Sequence, residues 1–395
     1  MKSLLYIANL RLPTEKAYGI QIAKMCEAFA DSGLKVTLIY PKRNNLNIKG
    51  DIFDYYSVKK NFISKLVNAP DFYWSGGLDK IAVAVKSFIS ARALVREALK
   101  ENVDVYYTRD ELIAYFLSRK NKNVIFECHK FSNKRKLFYS RFKKMNLKIV
   151  AISDGLKEDL VKFGIESSQI LVARDGVDLD DFNIKISQID ARKRLFSNLH
   201  WEAFARKKIA VYVGNLYLWK GVRIFSEVAK YLCEKDVNYL LFIFGGTNKK
   251  DIDVLKEELK NIENKFHPNL VPIFYFGKFP YREIPYILKT ADCLILTGSE
   301  RDILSTKYTS PLKMFEYMAS GCPIVAQDLP SFREVLNDKN SFLVKPGDAK
   351  ALSDEIALVF KEENAKMAEE KATKALEDVK DYTWTKRAEK IIGFF

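Results

Sequence analysis

The stretch SLLYIANLRLPTEKAYGIQIAKMCEAFADSGLKVTLIY, residues 3–40, decides the fold. Residues 4–8 are an apolar run of strand length, and residues 36–40 are another, rich in β-branched and aromatic types. Between them Ile22, Met25, Cys26, Phe29 and Ala30 recur at helical spacing, so the stretch reads as strand, amphipathic helix, strand: a β-α-β unit.

The same alternation continues outward. Strands are predicted at 105–107, 124–126, 149–152 and 170–173, and a second series at 209–213, 240–244, 273–276, 293–296, 324–326 and 342–344, with helical patterns between them. This is the signature of α/β folds with parallel sheets. The chain has 395 residues, beyond the roughly 250–300 at which single cores stop growing. Two Rossmann-like domains are therefore expected, 1–190 and 205–381, with the boundary near 180–206. Their loops gather at the carboxyl ends of the sheets, where such folds bind ligands, and two such domains are expected to face each other across a cleft. An amphipathic segment, 384–395, follows the second domain, and its pattern alone does not place it.

Composition narrows the class. Hydrophobic residues make up 48% and charged ones 29%, as in ordinary folded proteins. Five cysteines stand singly in apolar segments, which indicates reduced thiols. No apolar stretch reaches the about 18 residues of a membrane span, and the N-terminus reads as a strand rather than a signal peptide. A cytoplasmic protein is expected, with peripheral attachment to the inner membrane face as a further expectation. The net charge of +15 favours anionic partners. Lys130, Lys134, Arg135, Lys136, Arg141, Lys143, Lys144 and Lys148 form a run with no acidic residue, either a solvated helix face or a contact with an anionic surface. Phe62, Leu66, Phe72, Tyr73 and Trp74, close to Gly76 and Gly77, either dock a lipid-linked acceptor or belong to the core.

Several strand ends carry chemistry. Gly19 enters the first helix and allows close backbone approach to a ligand, or marks a turn only. His129 follows a strand and sits at a carboxyl-end rim, placed for a sugar hydroxyl or a reacting group. Gly214-Asn215-Leu216 ends another strand, with Lys220-Gly221 at the expected mouth of the next helix, where an ammonium beside free amides suits a diphosphate. Gly245 and Gly246 end a third strand. In Thr309-Ser310-Pro311-Leu312-Lys313-Met314-Phe315-Glu316, Ser310 reads as N-cap and Pro311 as first helical residue, with amides that suit phosphate. Glu316 offers two acceptor oxygens to the hydroxyls of a ribose, or pairs structurally with a lysine.

Together these residues resemble the family-4 retaining glycosyltransferases of the GT-B fold, in the subgroup with a Ser-Pro-Leu-Lys helix start. The resemblance runs nearly end to end: Tyr18-Gly19-Ile20, Tyr107-Thr108-Arg109-Asp110, His129, Ile152-Ser153, Asp175-Gly176-Val177-Asp178 with Phe182, Gly214, Lys220-Gly221, Ser310 through Glu316, and Gly321-Cys322-Pro323-Ile324-Val325. It implies a donor site of Gly19, Gly214, Asn215, Lys220, Gly245, Phe279, Thr309, Ser310, Pro311, Leu312, Lys313 and Glu316. Gly19 and Lys220 would meet the diphosphate, Phe279 the base, Glu316 the ribose, and His129 the donor sugar. Catalytic roles fall on His129 and Lys220, and acceptor contacts on Tyr18, Arg109 and Trp74. The implied reaction is sugar transfer from a nucleotide sugar such as a UDP or GDP sugar to a glycan or lipid-linked acceptor hydroxyl. It proceeds with retention and needs no metal or other cofactor, as in bacterial polysaccharide or glycolipid assembly. A C-terminal helix, 382–395, would cross back to the first domain.

Two positions depart from the family. Tyr308 stands where a first Glu usually touches the donor sugar, which leaves Arg301 or Glu300 as candidates for that contact, and Asn215 replaces an arginine. Two other readings remain at the level of sequence: a nucleotide-sugar epimerase on the same architecture, which would release nucleotide without glycosylated product, and a non-catalytic nucleotide-sugar or nucleic-acid binding protein. A nucleic-acid partner is not expected.

Overall fold

Seven parallel strands form the sheet of the first half: β1 Ser3–Ile7, β2 Lys35–Pro41, β3 Ile63–Val67, β4 Val105–Thr108, β5 Val124–Cys128, β6 Lys148–Ala151 and β7 Ile170–Val172, in the order β3-β2-β1-β4-β5-β6-β7. Six more form the second sheet: β8 Lys208–Val213, β9 Tyr239–Phe244, β10 Ile273–Gly277, β11 Cys293–Leu296, β12 Ile324–Gln327 and β13 Phe342–Val344, in the order β10-β9-β8-β11-β12-β13. In this computed structural model, residues 1–43, 48, 50–72, 79–196, 202–235, 238–263 and 273–395 are described. The chain divides into two units, Met1–Asp175 with Trp384–Phe395, and Gly176–Thr383.

All twelve strands read from sequence are present, and both sheets are wholly parallel. Strands β4 and β5 are buried along their whole length, as expected when helices cover both faces of a parallel sheet. Glu127 is the charged exception, 0% exposed inside β5. The order of strands reverses between β1 and β4 and again between β8 and β11, and ligands of open α/β sheets bind at such reversals.

The sequence reading missed β3. Its residues Ile-Ser-Lys-Leu-Val have weak alternation, and the strand lies at the sheet edge, where a lysine discourages further pairing. Lys65 there meets Glu97 at 3.0 Å and Glu101 at 3.2 Å. Phe62 before it is buried, whereas Leu66 is exposed. Tyr73, Trp74, Gly76 and Gly77 lie outside the described residues.

In the first unit the helix Trp384–Ile392 packs against the helix Ala17–Asp31. The helix Asp79–Ala98 packs on Glu111–Ser118, which in turn packs on Lys136–Lys144. Asp110 caps the middle one, accepting from the amides of Leu112 and Ile113. In the second unit the core gathers Val211, Phe242, Leu294, Phe315 and Met318. Residues 176–190, expected in the first domain, lie in the second unit. The reason is packing: Phe182 and Phe196 join that core, and the nearby Arg192 bonds Asp292 at 2.7 Å and the Thr290 carbonyl at 3.0 Å.

Candidate functional site

The second unit gathers its candidate residues at the carboxyl ends of β8, β9 and β11. Gly214 follows β8 with φ +150, and Gly245 follows β9 with φ +120. These conformations favour glycine. A Cβ on Gly245 would collide with the Gly214 carbonyl, and the Gly245 amide donates to the Gly277 carbonyl at 2.6 Å. Three strand-end loops are thus stacked backbone on backbone. Asn215 contributes its carbonyl, which accepts from the Tyr212 hydroxyl at 2.9 Å. Phe279 is half-buried against the core, its ring 5.5 Å from that of Phe244.

Lys220 is not at a helix mouth as the sequence suggested. It ends a short 3-10 turn, Leu218–Lys220, and the α-helix begins only at Ile224. Gly221 intervenes at φ +67, and a Cβ on it would collide with the Gly298 carbonyl. The Lys220 carbonyl accepts from Thr297 Oγ1 at 2.6 Å, so the lysine is tied to the loop after β11. Burial pushes the Lys220 ammonium down to about 8, against the attraction of Glu316.

The helix Leu312–Ala319 starts one residue later than expected. Pro311, with extended ψ 124, occupies the cap position, and no side chain caps the helix. Ser310 therefore does not serve as N-cap; Thr309 and Ser310 are buried just ahead of it. The Tyr317 hydroxyl accepts from the Val213 amide at 2.9 Å and pins this helix to the end of β8. On its buried face lie Lys313 and Glu316. Lys313 Nζ sits 3.9 Å from the Tyr212 ring centre and has no hydrogen-bond partner among the described residues. A Cβ on Gly214 would lie 3.5 Å from that nitrogen. Burial, then the charge of Lys220, push the Lys313 ammonium well below its ordinary range. Burial raises the Glu316 carboxyl to about 7, opposed by a hydrogen bond from Tyr281 and by Lys313 and Lys220.

The structure thus brings together Gly214, Gly245, Lys220, Lys313 and Glu316, with Pro311 and Leu312 opening the helix that carries the last two. Two incompletely neutralised cations can hold a diphosphate, and the carboxylate can accept from paired hydroxyls. Tyr308 is buried, while Glu300 and Arg301 are exposed.

The first unit holds a separate cluster at the ends of β1, β4 and β5. His129 follows β5, and its Nε2 lies 2.6 Å from Glu127 Oε1. Glu127 also accepts from Gln21 Nε2 at 2.6 Å and from the Tyr107 hydroxyl. Arg109 donates to Gln21 Oε1 at 2.5 Å. Arg387, from the C-terminal helix, reaches 3.3 Å from Glu127 Oε1 and 3.8 Å from Asp175 Oδ1. Burial alone would raise the Glu127 carboxyl, but Arg387 and the bond with His129 outweigh it and hold it well below the usual range. Burial and then Arg109 lower the His129 imidazole to about 4, against Glu127. Gly19 lies in the first turn of Ala17–Asp31, its amide donating to the Lys16 carbonyl at 2.9 Å. A Cβ there would strike the Tyr56 hydroxyl, which bonds Thr14 on both sides, at 2.7 and 2.9 Å. Tyr18 is half-buried on the same turn. Trp74 lies outside the described residues.

Sequence reasoning missed Tyr281 as the partner of Glu316, Glu127 as the partner of His129, and Arg387 as the partner of Glu127. A glutamate within the apolar run Val-Ile-Phe-Glu-Cys was the available signal, because a buried charge needs a partner.

Comparison with known proteins agrees with this architecture. Residues 200–377 match the domain described as "Glycosyl transferases group 1". The chain is 27% identical over 187 residues to the processive diacylglycerol alpha-glucosyltransferase of Acholeplasma laidlawii, covering 46% of this chain and 50% of that protein. It is 26% identical over 245 residues to an uncharacterized glycosyltransferase of Methanocaldococcus jannaschii, covering 59% and 56%. The chain thus spans about half the length of these curated relatives. Among solved structures, Anabaena HepE in complex with UDP and glucose superposes with a TM-score of 0.73 at 14% identity, covering 100% and 99% of the two chains. A glycosyltransferase of Rickettsia africae superposes with 0.74 at 17% identity, covering 99% and 97%. The two units therefore have the GT-B fold.

Proposed function

We propose that this protein is a retaining glycosyltransferase that takes a hexose from a nucleoside diphosphate sugar, with UDP-glucose as the first donor to try. The observation that carries the reading is the cluster of half-buried Lys220 with buried Lys313 and Glu316 at the carboxyl end of the second sheet. An unneutralised ammonium that stays desolvated raises the energy of the empty site and makes a polyanion its natural complement. The matching domain over 200–377, the glucosyltransferase relative and the UDP complex of a structural neighbour support the same choice of donor.

In this mechanism the diphosphate lies against Lys220, Lys313 and the uncapped amino end of the helix Leu312–Ala319, and Glu316 accepts from the ribose hydroxyls. The acceptor hydroxyl attacks the anomeric carbon from the face the diphosphate leaves. The new carbon–oxygen bond forms as the bond to the β-phosphate oxygen breaks, and that oxygen takes the acceptor's proton. The protein's share is charge stabilisation and positioning. The test incubates the full chain with UDP- and GDP-sugars, with and without lipid and glycan acceptors. Release of nucleoside diphosphate matched by α-linked product from an α-donor is the expected result; free nucleotide with an epimerised sugar and no product would make the chain an epimerase instead.

We further propose that the acceptor is reached at an anionic membrane surface. Ile81, Val83, Val85, Phe88 and Ile89 on the helix Asp79–Ala98 are exposed, as is Leu137 on Lys136–Lys144. Lys80, Arg92, Arg96, Lys136, Lys143 and Lys144 are exposed on the same two helices, and both pack on Glu111–Ser118. Apolar side chains rimmed by basic ones match an anionic interface. Co-flotation with vesicles containing phosphatidylglycerol, lost in Phe88→Asp, is expected; no flotation with such vesicles would remove the membrane from the account.

A further inference from the structure

We propose that Glu127, held by Arg387 from the C-terminal helix, is a positioning residue for sugar transfer: it keeps the proton of His129 on Nε2 and so leaves Nδ1 as a bare acceptor for a ligand hydroxyl. The inference rests on the glycosyltransferase reading for its effect on turnover, but its structural half stands without turnover.

The argument begins with the carboxylate. Glu127 is 0% exposed and lies near the end of the interior strand β5. An ionised carboxylate only accepts, and here it accepts from Gln21 Nε2 at 2.6 Å and the Tyr107 hydroxyl and is ion-paired with the Arg387 guanidinium at 3.3 Å. Arg387 also lies 3.8 Å from Asp175 Oδ1, and its Nε donates to the Arg174 carbonyl at 2.9 Å, so its position is fixed from both sides. The remaining close contact of Glu127 is His129 Nε2 at 2.6 Å. With Glu127 unable to donate, the proton of that bond belongs to the histidine. A neutral imidazole carries one N–H, so Nδ1 keeps its lone pair. Burial first, then Arg109 and Arg387, lower the imidazole to about 4 against the pull of Glu127, which leaves the ring neutral at pH 7. His129 is partly exposed, with a side-chain accessibility of 23%, which leaves an open edge for a ligand hydroxyl.

Sequence gives no hint of this linkage, because Arg387 stands 260 positions after Glu127 and arrives on the last helix, which packs on Ala17–Asp31. That helix thereby becomes part of the machinery of the first unit.

Two measurements on the full chain test the proposal. The sequence holds three histidines, His129, His200 and His267, so nitrogen NMR of the imidazoles is tractable, and His129→Ala assigns the signal. The expected wild-type spectrum at pH 7 shows His129 wholly protonated on Nε2, with a mixture of tautomers in Glu127→Gln. A wild-type ring protonated on Nδ1, or mixed, overturns the proposal. The second measurement is a double-mutant cycle on turnover of UDP-glucose. Glu127→Gln is expected to lower kcat about tenfold with the donor KM within about twofold, and to have no further effect in a His129→Ala background. An equal loss in both backgrounds means that Glu127 acts on the fold and not through His129. Should the wild-type chain turn over no donor, the proposed function fails while the NMR result still decides the placement of the proton.

Discussion

The ammonium of Lys313 rests 3.9 Å above the centre of the Tyr212 ring and meets no hydrogen-bond acceptor among the described residues. The ring face supplies part of the missing neutralisation, but a lysine only 8% exposed would be more stable as a hydrocarbon. Lys313→Met is therefore expected to raise the melting temperature of the unliganded chain, by about 1 kcal/mol or more of stability, while weakening UDP binding by about tenfold or more. Calorimetric melting and a UDP titration on the same sample read both effects. A variant that loses stability would contradict the strain assigned to this lysine.

Lys220→Ala is expected to lower turnover at least about tenfold, because a charge aimed at the leaving diphosphate acts mostly in the transition state. Steady-state rates with the donor in excess measure this. Near-normal turnover would take Lys220 out of the mechanism.

The pH profile follows from two opposed shifts. Glu316, raised to about 7, must lose its proton to accept from the ribose, so kcat/KM is expected to fall as pH drops below that value. Lys220, lowered to about 8, must keep its proton, so kcat/KM also falls above that value. A narrow bell between the two is expected, its limbs belonging to the linked pair. In Glu316→Gln the acidic limb should disappear; an unchanged acidic limb would assign it to another group.

Arg387→Met leaves Glu127 ionised inside the first unit without its counter-charge. A loss of about 3–5 kcal/mol is expected, read by urea denaturation. A change below about 1 kcal/mol would mean that the neighbouring hydrogen bonds alone sustain the buried carboxylate.

Gly245→Ala tests the stacked loops of the second unit. The residue sits at φ +120, and its Cβ would collide with the Gly214 carbonyl. A destabilisation of about 1–3 kcal/mol is expected, read by urea denaturation; an unchanged stability would mean that the stacked loops give way without cost.

Much of this was legible from sequence because parallel sheets advertise themselves. Strands such as β8 and β11 read as apolar runs, and the glycines at 214 and 245 mark where strands end in conformations that favour glycine. The helix carrying Lys313 and Glu316 was found from its own residues, and only its first turn was misjudged: Pro311 adopts an extended ψ, so the cap moved past Ser310. Lys220 was set at a helix mouth because the left-handed Gly221 is silent in a periodicity reading. Strand β3 was missed because an edge strand need not be apolar. The partnerships of Glu127 with Arg387 and of Glu316 with Tyr281 were out of reach, because they join residues far apart in the chain and depend on packing.

The central claim is that the second unit holds a donor diphosphate between Lys220 and Lys313 and its ribose at Glu316. Calorimetric titration of the full chain with UDP, beside uridine and 2′-deoxy-UDP, tests it most directly. The account predicts that UDP binds, that uridine binds at least about tenfold more weakly, that 2′-deoxy-UDP is weakened in the wild type but not in Glu316→Gln, and that Lys313→Met erases the preference for the diphosphate. Equal binding of UDP and uridine, or a preference for UDP that survives Lys313→Met unchanged, would contradict it.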